Sequence, residues 1–168
     1  GRIGQLIARY AQSFGMKVLV WGSEASRNKA VAEGFDAANS KKQLFLQSDV
    51  LSLHLRLSES SRYGVTYEDL SLMKSDALIV NTSRAELIAP GALEAALREG
   101  RPGGAALDVF EIEPLPINAS ILQLENVLAT PHIGFVETDS YERYFRPAFE
   151  AIVDFVQGNP VNNIAQTV

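Results

Sequence analysis

Four polar side chains stand just past the ends of apolar runs. Asn81-Thr82-Ser83-Arg84 follows one run, Asp108 through Glu113 follows the next, and Thr130-Pro131-His132-Ile133-Gly134 follows the last. A guanidinium, two carboxylates and an imidazole are the groups that bind anions and carry protons. Each also has a plainer reading. Arg84 can be a surface charge, and Ser83 to Glu86 a capping box at a helix start. Asp108 can cap a turn, Glu113 can be a solvated loop carboxylate, and His132 a satisfied histidine beside a helix. Their joint placement at successive strand ends is what argues for a site, because open α/β sheets bind ligands there.

A second kind of chemistry is written at the front. Gly1-Arg2-Ile3-Gly4 leads directly into an amphipathic segment. A dinucleotide site needs a tight turn, a close backbone approach to the pyrophosphate and a helix N-terminus aimed at it. Gly1 and Gly4 fit the second and third glycines of G-x-G-x-x-G, which puts the first glycine and its strand before residue 1. The plain alternative is an ordinary helix start. The acidic residue expected at the end of the next strand is missing: Trp21 is followed by Gly22 and Ser23, with Glu24 two positions late. A carboxylate there would bind ribose hydroxyls and repel a 2′-phosphate. Its absence leaves NAD and NADP both open. Arg27 and Arg56 can favour a phosphate or be solvated surface charges.

The elements that must hold these groups alternate. Gln5 to Phe14 reads as a helix, with Leu6, Ile7, Tyr10 and Phe14 at helical spacing and Gly15 as its stop. Met16–Trp21 reads as a strand. A helix capped by Ser26 runs to about Glu33, and Lys41–Gln47 is a short one. Asp49–Leu55 is a strand. Tyr67–Met73 is a helix with Thr66 as cap and Asp69 at its third position. Ala77–Asn81 is a strand, and Pro90 opens a helix through Arg98 that Gly100 closes. Gly104–Val109 and Asn126–Ala129 are strands. Asp139–Gln157 is the longest helix, with Pro147 predicting a kink. Strands alternating with helices imply a parallel sheet covered on both faces, and the continuous apolar runs agree.

Composition narrows the class. The 168 residues carry 15 basic and 20 acidic side chains, a net charge of −5, which argues against a duplex-binding domain. There are no cysteines, so disulfides, thiolate metal sites and a Cys nucleophile are excluded. No apolar run approaches the ~20 residues of a membrane span, and no signal-peptide pattern opens the chain. No metal site is expected, and a cytoplasmic location is.

Taken together, Gly1-Arg-Ile-Gly4, Ser48-Asp-Val-Leu-Ser-Leu-His-Leu55, Met73-Lys through Val80-Asn-Thr-Ser-Arg84, Ala106-Leu-Asp-Val-Phe-Glu-Ile-Glu-Pro114 and Thr130-Pro-His-Ile-Gly134 resemble the D-isomer-specific 2-hydroxyacid dehydrogenases. The likeness is strongest to the D-3-phosphoglycerate dehydrogenase-like members and covers nearly the whole chain. It implies a Rossmann-like doubly wound parallel sheet, lacking its first strand, over residues 1–157. It implies hydride transfer between nicotinamide and a small D-2-hydroxy or 2-oxo acid. Arg84 would hold the substrate carboxylate, His132 would be the acid/base, and Glu113 would orient the imidazole and favour its protonated form. Asp108 would meet the nicotinamide end. The cofactor cleft would be lined by Gly1, Arg2, Ile3, Gly4, Gly22, Ser23, His54, Leu55, Arg56, Thr82, Ser83, Arg84, Asp108, His132 and Gly134. His54 would contribute its backbone more than its ring.

Three departures stand out. Arg56 replaces the proline that usually follows the His-Leu pair. Phe135-Val136-Glu137 replaces a run of smaller residues beside His132. Formate dehydrogenases of the same superfamily carry glutamine where Glu113 stands, so their chemistry is disfavoured. The resemblance further implies a homodimer, with neither nucleic acid nor membrane as partner. Residues 158–168 are expected to return toward a substrate domain that precedes residue 1. On that reading the chain is a fragment that would neither fold stably nor turn over alone. A dinucleotide-sensing, non-catalytic protein like the dehydrogenase-like corepressors is the alternative.

Overall fold

The structure is a computed structural model that describes residues 1–159. They divide into two compact units, Gly1–His132 and a second that begins at Ile133.

In the first unit, α1 (Arg2–Ser13) begins three residues before the predicted Gln5. The apolar spacing marks only the stripe, whereas the Gly1 carbonyl already accepts the Gln5 N–H at 3.1 Å and closes the first turn. Strand β1 (Leu19–Val20) is shorter than its apolar run. Helix α2 (Glu24–Ala32) is capped by Ser23 rather than Ser26. The cap must accept from an amide two or three positions on, and Ser26 supplies that amide, at 3.3 Å from Ser23 Oγ. Strand β2 (Asp36–Ala37) has no apolar run to announce it and exists through its parallel pairing with β1.

Beyond it lie α3 (Lys41–Gln47), β3 (Val50–Leu53), α4 (Tyr67–Ser71), β4 (Leu78–Asn81), α5 (Ala92–Arg98), β5 (Gly104–Leu107) and β6 (Val127–Ala129). Thr66 and Asp69 form the capping box of α4. Helix α5 starts after Gly91, whose left-handed φ of 71° breaks the chain between Pro90 and the helix. Strands β3-β4-β5-β6 form a parallel sheet in that order, while β1 and β2 form a separate two-stranded sheet. In the doubly wound order the break falls between β1 and β3. Gly103 sets the entry to β5: a Cβ there would lie 2.2 Å from the Ser75 carbonyl oxygen.

The core sits on one face of the four-stranded sheet. Leu51, Leu53, Ile79, Ala105 and Leu107 point into it, under Leu70 and Met73 beside α4 and Leu93, Ala96 and Leu97 on α5. The intervening strand residues are half-buried or exposed, so the continuous apolar runs conceal an alternation of burial. Each large apolar side chain removed from water stabilises by about 1.5–3 kcal/mol. Around α1 the buried set is smaller: Ala8, Ala30 and Phe35, flanked by Val18 and Val20.

The second unit carries α6 (Thr138–Val156), which runs through Pro147. Tyr141, Phe145 and Phe149 stack along it, with ring centroids 5.4 and 6.4 Å apart. The expected returning tail lies outside the described residues from Pro160 on. Among the described residues no helix is long and apolar enough to cross a membrane.

Candidate active site and dinucleotide cleft

Three strand ends converge in the first unit. At the end of β4, Asn81 is buried, and both ends of its amide are used. Its Nδ2 donates to the Arg84 carbonyl at 3.0 Å, and its Oδ1 accepts the Ser83 N–H at 3.1 Å. This ties the Thr82–Arg84 loop to the sheet. Ser83 does not open a capping box. Its hydroxyl donates to the Leu55 carbonyl at 3.0 Å, and the 3-10 turn that follows, Ala85–Leu87, has Arg84 in its cap position with no side-chain bond. The Arg84 side chain is exposed, with Nη1 donating to the Ser83 carbonyl at 2.6 Å.

At the end of β5, Asp108 is buried and accepts a hydrogen bond from the Thr130 hydroxyl, joining the ends of β5 and β6. Farther along the loop, Glu113 is held at both oxygens. Oε1 accepts the Phe110 N–H at 2.9 Å, and Oε2 lies 2.8 Å from His132 Nδ1. An ionised carboxylate only accepts, so that arrangement puts the imidazole hydrogen on Nδ1. These bonds, His132 first and the Phe110 amide second, hold the Glu113 carboxyl below the usual glutamate value of 4.5. His132 has a φ of 55°, in the left-handed region that few non-glycine residues adopt. Such strain clusters at functional sites. Arg84, Glu113 and His132, with Val109 and Phe110 behind them, line one cavity of about 250 Å³.

The glycine turn lies elsewhere in the same unit. Gly1 caps α1 without a side-chain bond, and the first turn of α1 carries no acidic residue. Its leading amides are therefore oriented for an anion, which fits a pyrophosphate. A Cβ at Gly4 would come within 3.3 Å of the His54 Cβ. The His54 ring thus packs against the turn, and its Nε2 meets Ser52 Oγ at 2.9 Å. The ring thus has contacts of its own, beside the backbone contribution expected to be the larger. Burial pushes the His54 imidazole below its usual 6.5.

The remaining expected residues take these places. The Leu55 and Arg56 carbonyls anchor Ser83 and Ser61 respectively. Gly22 and Ser23 form the turn from β1 into α2, and Arg2 and Ile3 are exposed on α1. Thr82 is exposed beside Ser83. Gly134 belongs to the second unit. Sequence reading passed over Asn81 and Thr130 as ligands of the loops. The available signal was a polar residue closing each apolar strand, which must find partners once buried.

The model for "D-isomer specific 2-hydroxyacid dehydrogenase, NAD binding domain" matches residues 1–134. A glyoxylate reductase of Aeropyrum pernix is 37% identical over 165 residues, 98% of this chain and 49% of that protein. An oxidoreductase structure from Ralstonia solanacearum is 55% identical with a TM-score of 0.90, covering 98% of this chain and 48% of that one. An acyclic imino acid reductase solved with NADPH and D-Arg is 32% identical with a TM-score of 0.75, covering 96% and 50%. The chain thus spans about half the length of these relatives. By sequence and by fold, it belongs to the D-isomer specific 2-hydroxyacid dehydrogenases and carries their NAD binding domain.

Proposed function

We propose that the intact protein transfers a hydride between a nicotinamide dinucleotide and a small D-2-hydroxy or 2-oxo acid. The observation that carries this reading is the Glu113–His132 pair, 2.8 Å apart in a cavity that Arg84 also lines. The bound cofactor supplies or takes up the hydride. The protein's own groups do the rest. Arg84 presents a planar fork of donors to the substrate carboxylate and so orients the neighbouring carbonyl. His132 gives its proton to the carbonyl oxygen in reduction and receives the hydroxyl proton in oxidation. Glu113 fixes the ring's orientation through its bond to Nδ1. Asp108 and Asn81 keep the two loops at the strand ends, with Asp108 at the nicotinamide side. The uncapped amides at Gly1–Gly4 receive the pyrophosphate, and His54, Leu55, Thr82 and Ser83 wall the cleft.

The relatives support this reading: the Aeropyrum protein is a glyoxylate reductase, and a neighbour of the same fold holds NADPH. The homodimer, the cytoplasmic location and the substrate domain beyond residues 1–157 belong to the same proposal. The test is turnover of the intact protein with glyoxylate, hydroxypyruvate and phosphohydroxypyruvate under NADH and NADPH. Binding of a dinucleotide without oxidation by any acid would favour the non-catalytic sensing alternative. Arg84→Ala is expected to lower kcat/KM by about 10- to 100-fold, the worth of a charge-assisted hydrogen bond. Dinucleotide affinity should change far less, and an equal loss of it would contradict the assigned role.

A further inference from the structure

Resting on that reading of the cleft, we infer that the turn from β1 into α2 selects a 2′-phosphorylated dinucleotide, with Arg27 as the residue that binds the phosphate. In this topology the adenosine ribose lies at the C-terminal end of the strand that follows the glycine-turn helix, here β1. A carboxylate there binds the free 2′-hydroxyl, and an arginine nearby accommodates a 2′-phosphate. The three residues at that end are Trp21, Gly22 and Ser23, and none is acidic.

Arg27 is held at the same place. Its guanidinium lies over the Trp21 ring, 4.4 Å from the centroid, and Nη1 reaches the Gly22 carbonyl at 3.5 Å. Stacking uses the flat face of the guanidinium and leaves its in-plane N–H edge to a phosphate. Arg27 makes no ion pair among the described residues, whereas Lys29 and Arg9 both face Glu33. The Ser23 and Ser26 hydroxyls, 3.0 Å apart, add donors beside it. The opposing charge is Glu24, exposed at the start of α2. Arg27 is held by the ring beneath it, and among the described residues Glu24 has no ion pair or side-chain hydrogen bond, so the cation sets the preference.

Gly22 is the position where a carboxylate would reverse the choice. A Cβ there meets Ser26 Cβ at 3.4 Å, an ordinary contact, so Gly22→Asp is sterically admissible. The experiment is calorimetric titration of the intact protein and two variants with NADPH and with NADH. NADPH is expected to bind the unaltered protein more tightly. Arg27→Ala should weaken NADPH by about 10- to 100-fold and NADH by less than about 3-fold. Gly22→Asp should weaken NADPH and tighten NADH. Tighter NADH binding by the unaltered protein would overturn the inference alone, as would equal losses of both cofactors in Arg27→Ala. Failure of the unaltered protein to bind either dinucleotide would overturn the dinucleotide reading itself, and this inference with it.

Discussion

The two sheets of the first unit bury different amounts of apolar surface. The sheet from β3 to β6 is four parallel strands over a continuous core, with Leu70, Met73, Ile79 and Ala96 wholly buried. The pair β1–β2 is two residues long in each strand, and α1 buries only Ala8 against it. The stripe that makes α1 amphipathic stays in the open: Leu6 is 48% exposed and Phe14 86%. The proposed proton-transfer pair and substrate cation stand on the well-packed half, and the proposed pyrophosphate turn on the thin one. Side chains that must keep a geometry to a fraction of an ångström need a scaffold whose rotamers are locked by packing.

The comparison is broken or sharpened first at His132. His132→Gln is expected to lower kcat of the intact protein by about two to four orders of magnitude, the usual worth of a general acid/base. Near-normal turnover would take His132 out of the mechanism and remove the reason for its strained backbone.

A smaller effect separates the two halves by stability. Leu70→Ala should cost about 2–5 kcal/mol, because a wholly buried side chain leaves a cavity. Leu6→Ala should stay within about 1 kcal/mol on the exposure α1 shows here. Urea denaturation of the two variants measures both. Equal costs would mean that the apolar face of α1 is covered in the intact protein, and the contrast between the sheets would vanish.

The smallest effect is on titration. The Glu113 carboxyl is held below 4.5 by its bond to His132 and then by the Phe110 amide. Its pKa is depressed in the folded protein, so the pair's contribution is present above the ordinary glutamate value. It is lost as pH falls through the depressed one. Carbon-detected NMR titration should give a Glu113 midpoint below 4.5 that moves upward in His132→Ala. An unmoved midpoint would show that the Phe110 amide alone sets it.

What sequence reading reached, and what it missed, follows the same physical division. The strand and helix order came from hydrophobic periodicity, a local property, and Lys41–Gln47 and the Thr66–Asp69 box were found residue for residue. Strand β2 escaped because Asp36–Ala37 has no pattern of its own and is a strand only by pairing with β1. The cap of α2 was misplaced by three residues because two serines of equal propensity flank its first turn, and backbone geometry chooses between them. Arg84, Glu113 and His132 were singled out by residue type and by standing after strands. That one cavity gathers all three is a statement about side chains 19 to 48 residues apart in sequence, which no local pattern contains.

The sequence by itself determined the alternation of elements, the glycine turn, the family and the inventory of groups able to do chemistry. Each of those is local or additive along the chain. Only the tertiary structure decided the rest. It closed the Glu113–His132 bond, put His132 into a left-handed conformation, spent Asn81 on holding the Arg84 loop, packed the His54 ring against Gly4 and set Arg27 over Trp21. The Glu113–His132 and Gly4–His54 contacts join residues that the chain brings together only after its strands have found their register, and register is fixed by burial and pairing rather than by any residue's own preference.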